Sequence, residues 1–123
     1  MTDSILDKDN LNLSSIIIRL TFGNNSFLFM GDAETENEKT REWPKTDVLK
    51  VGHHGSNTST SEKFLKQVSP QYAVIMAGKD NRYGLPKANI LERLNKANVT
   101  LYRTDENGTI EMISDGNKIY ASL

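Results

Sequence analysis

The chain has 123 residues, enough for one domain and short for two, and its 37% apolar and 25% charged residues suit a globular protein with a modest core. Lys and Arg number 15 against 16 Asp and Glu, a formal net charge of −1 that gives the molecule as a whole no reason to seek nucleic acid or an anionic membrane, although a local patch stays open. Cysteine is absent, which excludes disulfides, Cys-ligated zinc and a thiol nucleophile.

Residues 1–12 are polar and acidic and read as a flexible arm, with a single domain over 13–123. The arm has no basic stretch followed by an apolar one, and no apolar run has the length of a bilayer span. The expectation is therefore a chain that is cytoplasmic, or soluble as expressed. Ser14–Phe22 is rich in β-branched residues and predicts a strand. Gly23-Asn24-Asn25 is a turn, and Ser26–Met30 a second strand that closes a hairpin. Gly31-Asp32 ends that strand, and Ala33–Arg41 predicts a short helix or lid broken by Trp43-Pro44.

Asp47–Val51 is a third strand. The hydroxyl-rich run Ser56–Ser61 predicts a loop that caps a helix through about Val68, from Ser59 or Thr60, with Phe64, Leu65 and Val68 on its apolar face. Gln71–Met76 is a fourth strand, followed by the polar loop Ala77–Gly84. Pro86 suits a first helical turn, and Ile90, Leu91 and Leu94 then recur at helical spacing up to about Ala97. Val99–Arg103, Gly108–Ile113 and Lys118–Ala121 are three further short strands. The result is mixed α/β with too few helices to cover both faces of its sheet. Phe22, Phe27 and Phe29 are taken as core, and Trp43 as a packing residue. Arg103 is read as a structural partner of Asp105 or Glu106.

The two histidines of the chain are adjacent, His53 and His54, set between Gly52 and Gly55 at the end of the third strand. Imidazoles at a strand end, on a backbone that glycines let turn tightly, can bind a metal or move a proton near neutral pH. The competing reading is a pair of surface histidines in a turn. Asp32 ends the neighbouring strand, so one carboxylate and the two imidazoles can meet at one rim of the sheet. That donor mix suits a divalent ion such as Zn²⁺ or Mn²⁺. Asp32 can instead cap the helix that follows, and Glu34 and Glu36 are read as solvated charges at its start. Lys79, Asn81, Arg82 and Tyr83 lie in the polar loop after the fourth strand; Arg82 there can grip a phosphate through two hydrogen bonds. A plain surface loop is the alternative. No glycine-rich phosphate loop and no Gly-x-Ser-x-Gly elbow is present.

Phe29-Met-Gly-Asp-Ala-Glu34, Asp47-Val-Leu-Lys-Val-Gly-His-His-Gly-Ser56, Gly78-Lys-Asp-Asn-Arg-Tyr-Gly84, Val99-Thr-Leu-Tyr-Arg-Thr-Asp105 and Asp115-Gly116 together resemble the metallo-β-lactamase-like domain of ComEC-type competence proteins. The resemblance runs from about residue 13 to 121, and the long string around the histidines is its most specific part. It implies an αββα sandwich hydrolase fold, here its C-terminal half, with one or two divalent metals at the sheet edge. It implies phosphodiester or nucleic-acid chemistry in a DNA-uptake, membrane-associated setting. By motif, Asp32 matches the aspartate that bridges two metals, His54 the late histidine ligand with His53 as its rival, and the neighbouring His53 a proton donor near the leaving oxygen. The family's earlier histidine cluster has no counterpart here, and Leu85 stands where relatives often carry His. The chain alone is therefore expected to be inactive and to need a covering partner: a second copy, or the N-terminal half of the fold. The alternatives are a truncated, non-catalytic domain and an anion-binding module.

Overall fold

The structure, a computed structural model, describes residues 14–123. The arm expected over residues 1–12 lies outside the described residues.

β1 (Ile18–Phe22) and β2 (Asn25–Phe29) form the expected antiparallel hairpin, with Ile18 opposite Phe29 and Phe22 opposite Asn25. β1 is shorter than the β-branched run suggests, because its partner β2 has only five residues to offer. β3 (Val48–Lys50), β4 (Tyr72–Ile75) and β5 (Thr100–Arg103) then add in parallel, giving one five-stranded mixed sheet in the order β1-β2-β3-β4-β5. β6 (Glu111–Ser114) and β7 (Ile119–Ser122) make a separate two-stranded hairpin. Its turn docks on the first hairpin: the Asn24 amide donates to the Gly116 carbonyl at 2.7 Å, and Ser114 Oγ donates to Asn25 Oδ1. A β-carbon on Gly23 would come within 2.7 Å of that same carbonyl, so only glycine allows the two turns to touch.

The helices are α1 (Thr35–Glu38), α2 (Glu62–Val68), α3 (Ala88–Lys96) and α4 (Thr104–Asn107). α1 starts at Glu34, not Asp32; the Glu34 side chain and Asn37 form a reciprocal capping box. α2 is capped by Ser61, whose hydroxyl accepts the Phe64 amide at 3.2 Å. Its predicted apolar face, Phe64, Leu65 and Val68, is buried. α3 buries Ile90 and Leu94 as its spacing requires. Trp43 packs edge-on against Phe64 at 5.2 Å between ring centres, and its indole N–H donates to the Glu38 carbonyl.

α2 and α3 meet one face of the sheet. Leu28, Leu49 and Ala73 stand in register across β2, β3 and β4. With Met30, Val51, Ile75, Ile90 and Leu94 they form a fully buried core. The next residues along each strand point the other way. Ile18, Phe29, Lys50, Val74 and Tyr102 form one row across that second face. Leu20, Phe27, Val48 and Tyr72 form another.

Much of this face is uncovered: Ile18, Leu20 and Phe22 are each more than half exposed, and Phe29 is 42% exposed. The phenylalanines are therefore not core residues as expected. They alternate onto the face that no helix covers, and Phe27 is only partly buried. A mixed sheet with helices on one side is what half of an αββα sandwich looks like. No helix among the described residues is long and apolar enough to cross a membrane.

Candidate functional site

Because β2, β3, β4 and β5 run parallel, all four deliver their C-terminal ends to one rim of the sheet. β2 leads into Gly31-Asp32, β3 into Gly52–Gly55, β4 into the loop of residues 77–87, and β5 into α4. Two glycines bring the first two segments into backbone contact. Gly31 has φ +58°, and a β-carbon on Gly52 would lie 2.8 Å from the Ala33 carbonyl oxygen. The His53 amide then donates to the Gly31 carbonyl at 2.9 Å.

Gly52–Gly55 is a single tight turn in which both histidines are left-handed, His53 at φ 49° and His54 at φ 56°. Such a conformation costs a side-chain-bearing residue roughly 1–3 kcal/mol and persists only where surrounding bonds enforce it. Here they do. Ser59 Oγ donates to the Gly52 carbonyl at 2.9 Å, and the Ser56 amide donates to the His53 carbonyl at 2.9 Å.

The structure divides the expected cluster into two carboxylate–imidazole pairs. Asp32 Oδ1 lies 3.4 Å from His54 Nε2, and both side chains are nearly half exposed. His53 turns away to Glu34, with Nδ1 and Oε1 3.5 Å apart. Thr58 joins that second pair: its hydroxyl donates to Glu34 Oε1 at 3.1 Å and sits 3.4 Å from His53 Nδ1. The two rings are 6.3 Å apart and tilted. Sequence reasoning missed Glu34, which it treated as a solvated helix-start charge. Only 13% of its side chain is exposed. The sole signal was its spacing of two from Asp32 on a chain reversing at glycine.

Lys50 also reaches this corner from the open face of β3. Its ammonium donates to the Gly31 carbonyl at 3.4 Å. Burial pushes it below the ordinary lysine value, and the charge of Asp32 partly opposes that shift.

The loop of residues 77–87 is fastened to the histidine turn at both ends. His54 Nδ1 is 2.6 Å from the Met76 carbonyl oxygen, and the Lys87 amide donates to the Gly55 carbonyl at 3.0 Å. Asn81 shapes the loop from within: its amide group donates to the Gly78 and Leu85 carbonyls, and its oxygen accepts the Leu85 amide. Arg82 donates to the Tyr83 hydroxyl at 2.9 Å and lies over that ring, 5.0 Å from its centre. Lys79, Arg82 and Tyr83 are exposed. Arg103, at the end of β5, makes the structural pairs expected of it, with Asp105 at 2.7 Å and Glu106 at 2.8 Å.

Among the described residues no group of three or more His, Cys, Asp or Glu side chains is gathered closely enough to hold a metal ion. Asp32 and His54 are two donors, short of the three or four that zinc sites use. These residues alone do not fit a complete metal centre.

Comparison with known proteins identifies the family. The family model of the metallo-beta-lactamase superfamily matches residues 4–79, a span that holds Asp32, His53 and His54. The chain is 43% identical over 109 residues to ComE operon protein 3 of Bacillus subtilis, covering 85% of this chain and 14% of that protein. It is 42% identical to Recombination protein 2 of Haemophilus influenzae, covering 82% of this chain and 13% of that protein. It is 36% identical to Competence protein ComA of Neisseria gonorrhoeae, covering 81% of this chain and 15% of that protein. The chain thus spans about one-seventh of the length of these relatives. With its parallel strands ending at an Asp and a His pair, and most of its length matched, the chain belongs to the metallo-β-lactamase superfamily.

Proposed function

We propose that this chain is part of a metal-dependent hydrolase directed at phosphodiester bonds in nucleic acid. In this reading Asp32 and His54 are metal-side groups, for Zn²⁺ or Mn²⁺. His53, oriented by Glu34, serves as a proton donor near the leaving oxygen. The loop carrying Lys79, Arg82 and Tyr83 meets the anionic substrate, while Asn81 keeps that loop in shape. The observation that carries the reading is the 3.4 Å approach of Asp32 to His54 on a glycine-bounded rim. The superfamily match and the printed names of the relatives, competence and recombination proteins, support the substrate class.

The donor set is short among the described residues; in this reading the remaining ligands come from a covering partner, which also closes the open sheet face. The preceding part of the same fold is one source, and a second copy of the chain is the other. The isolated chain is then inactive. The second reading, a non-catalytic domain, draws on that same shortage of donors.

A fusion of this chain behind the preceding segment of the Bacillus subtilis relative tests the proposal, with bound metal measured by elemental analysis and hydrolysis measured on a generic phosphodiester. Metal-dependent turnover that Asp32→Ala and His54→Ala abolish supports it. A folded, metal-loaded fusion whose turnover ignores both substitutions overturns it. Light scattering on the isolated chain separates the two covering partners: a stable dimer favours the second copy.

A further inference from the structure

We propose that Tyr83 is a stacking platform for an unpaired base, so that the rim loop takes single-stranded rather than duplex nucleic acid; this rests on the substrate class proposed above. Tyr83 is 62% exposed, and it is set apart from the other exposed large apolar side chains, most of which belong to the open sheet face or to β6 and β7. It stands alone in a polar loop. Arg82 occupies one side of the ring, with its guanidinium 5.0 Å from the ring centre and a hydrogen bond to the hydroxyl. The exposure leaves the other side open. Lys87 bonds the Tyr83 carbonyl at 3.0 Å, which fixes the backbone that presents the ring.

The loop's charge is cationic, Lys79, Arg82 and Lys87 against Asp80. Cations beside a free aromatic face are the two elements that single strands require: charge for the phosphates and a ring for the base. A duplex would satisfy the charges but hide its base faces, and would leave the ring without a partner. Asn81 shapes the loop from within, and the Gly55–Lys87 bond ties its far end to the turn that carries His54.

The test is fluorescence anisotropy of the 123-residue chain with labelled oligothymidylate, its duplex, and an abasic strand of equal length, in low salt without metal. Tyr83→Ala is expected to weaken oligothymidylate binding about fivefold or more, and Tyr83→Phe to leave it near wild type. The abasic strand should bind more weakly than oligothymidylate and should not distinguish wild type from Tyr83→Ala. Circular dichroism checks that the variants fold. Equal affinity for duplex and single strand, equal affinity for abasic and thymidylate strands, or absence of binding each overturns the inference. Binding that fails while the fusion still hydrolyses phosphodiesters sinks this inference alone. Binding that persists while Asp32→Ala leaves hydrolysis untouched sinks only the catalytic reading.

Discussion

His54 Nδ1 lies 2.6 Å from the carbonyl oxygen of Met76. A carbonyl only accepts, so the ring donates from Nδ1 and keeps the lone pair of Nε2 on the side of Asp32. Two-bond ¹H–¹⁵N spectra of the neutral protein should show His54 protonated at Nδ1, and Asp32→Asn should leave that pattern unchanged. A ring without a proton on Nδ1 would contradict the geometry.

Glu38 is a second point of control. Its buried carboxylate accepts the backbone amides of Thr60 and Ser61, while Arg93 donates to the Thr60 carbonyl. Thr60 is held in a left-handed conformation, at φ 56°, between these partners. Replacing Glu38 by Ala strands one buried and one partly buried donor and should cost about 2–3 kcal/mol in urea unfolding. A loss below about 0.5 kcal/mol would show that water takes over the carboxylate's role.

The two faces of the sheet should respond differently to truncation. Leu49 is fully buried under the helices, so Leu49→Ala should destabilise by about 2–5 kcal/mol. Phe29 is 42% exposed on the open face, and Phe29→Ser should cost clearly less at low protein concentration. If a second copy covers the face, the cost of Phe29→Ser rises with protein concentration while that of Leu49→Ala does not. Equal costs for the two substitutions in dilute protein would mean that the face is not open.

Arg103 holds the Asp105 carboxyl below the ordinary carboxylate range, chiefly through their paired hydrogen bonds. A depressed folded-state value gives stability that is present above the unfolded value, near pH ~3.9, and is lost as pH falls through the folded one. Asp105→Asn should therefore lower the melting temperature at pH 7. The gap from wild type should close as acid protonates the carboxyl. A gap that stays constant down to about pH 2 would assign the effect to packing instead.

The strands and helices were legible because each carries its own local signal. The hairpin has its Gly-Asn turn, and α3 its spacing of Ile90 and Leu94; α2 has its hydroxyl-rich entry, although its cap is Ser61 and not the expected Ser59 or Thr60. The pairing of Asp32 with a histidine was legible too, since parallel strands must end at one edge. What the residues could not say was which histidine it would be. That depends on two left-handed residues in succession, enforced by Ser59, which holds the Gly52 carbonyl from outside the turn. Glu34 was misread for the same reason, because its partners Thr58 and His53 come from a different segment. The phenylalanines were misplaced because alternation along a strand defines two faces without saying which one is covered. α4 was not among the expected elements, since Asp105-Glu-Asn-Gly108 has turn chemistry and the helix is only four residues long.

The way the 77–87 loop is fastened has a practical consequence for chimaeras. Grafts from relatives should take their junctions inside the span from Gly78 to Leu85. The Met76 carbonyl and the Lys87 amide then remain native, and a foreign loop inherits an undisturbed imidazole. A junction placed even two residues farther out would alter the histidine turn along with whatever new preference the transplanted residues confer.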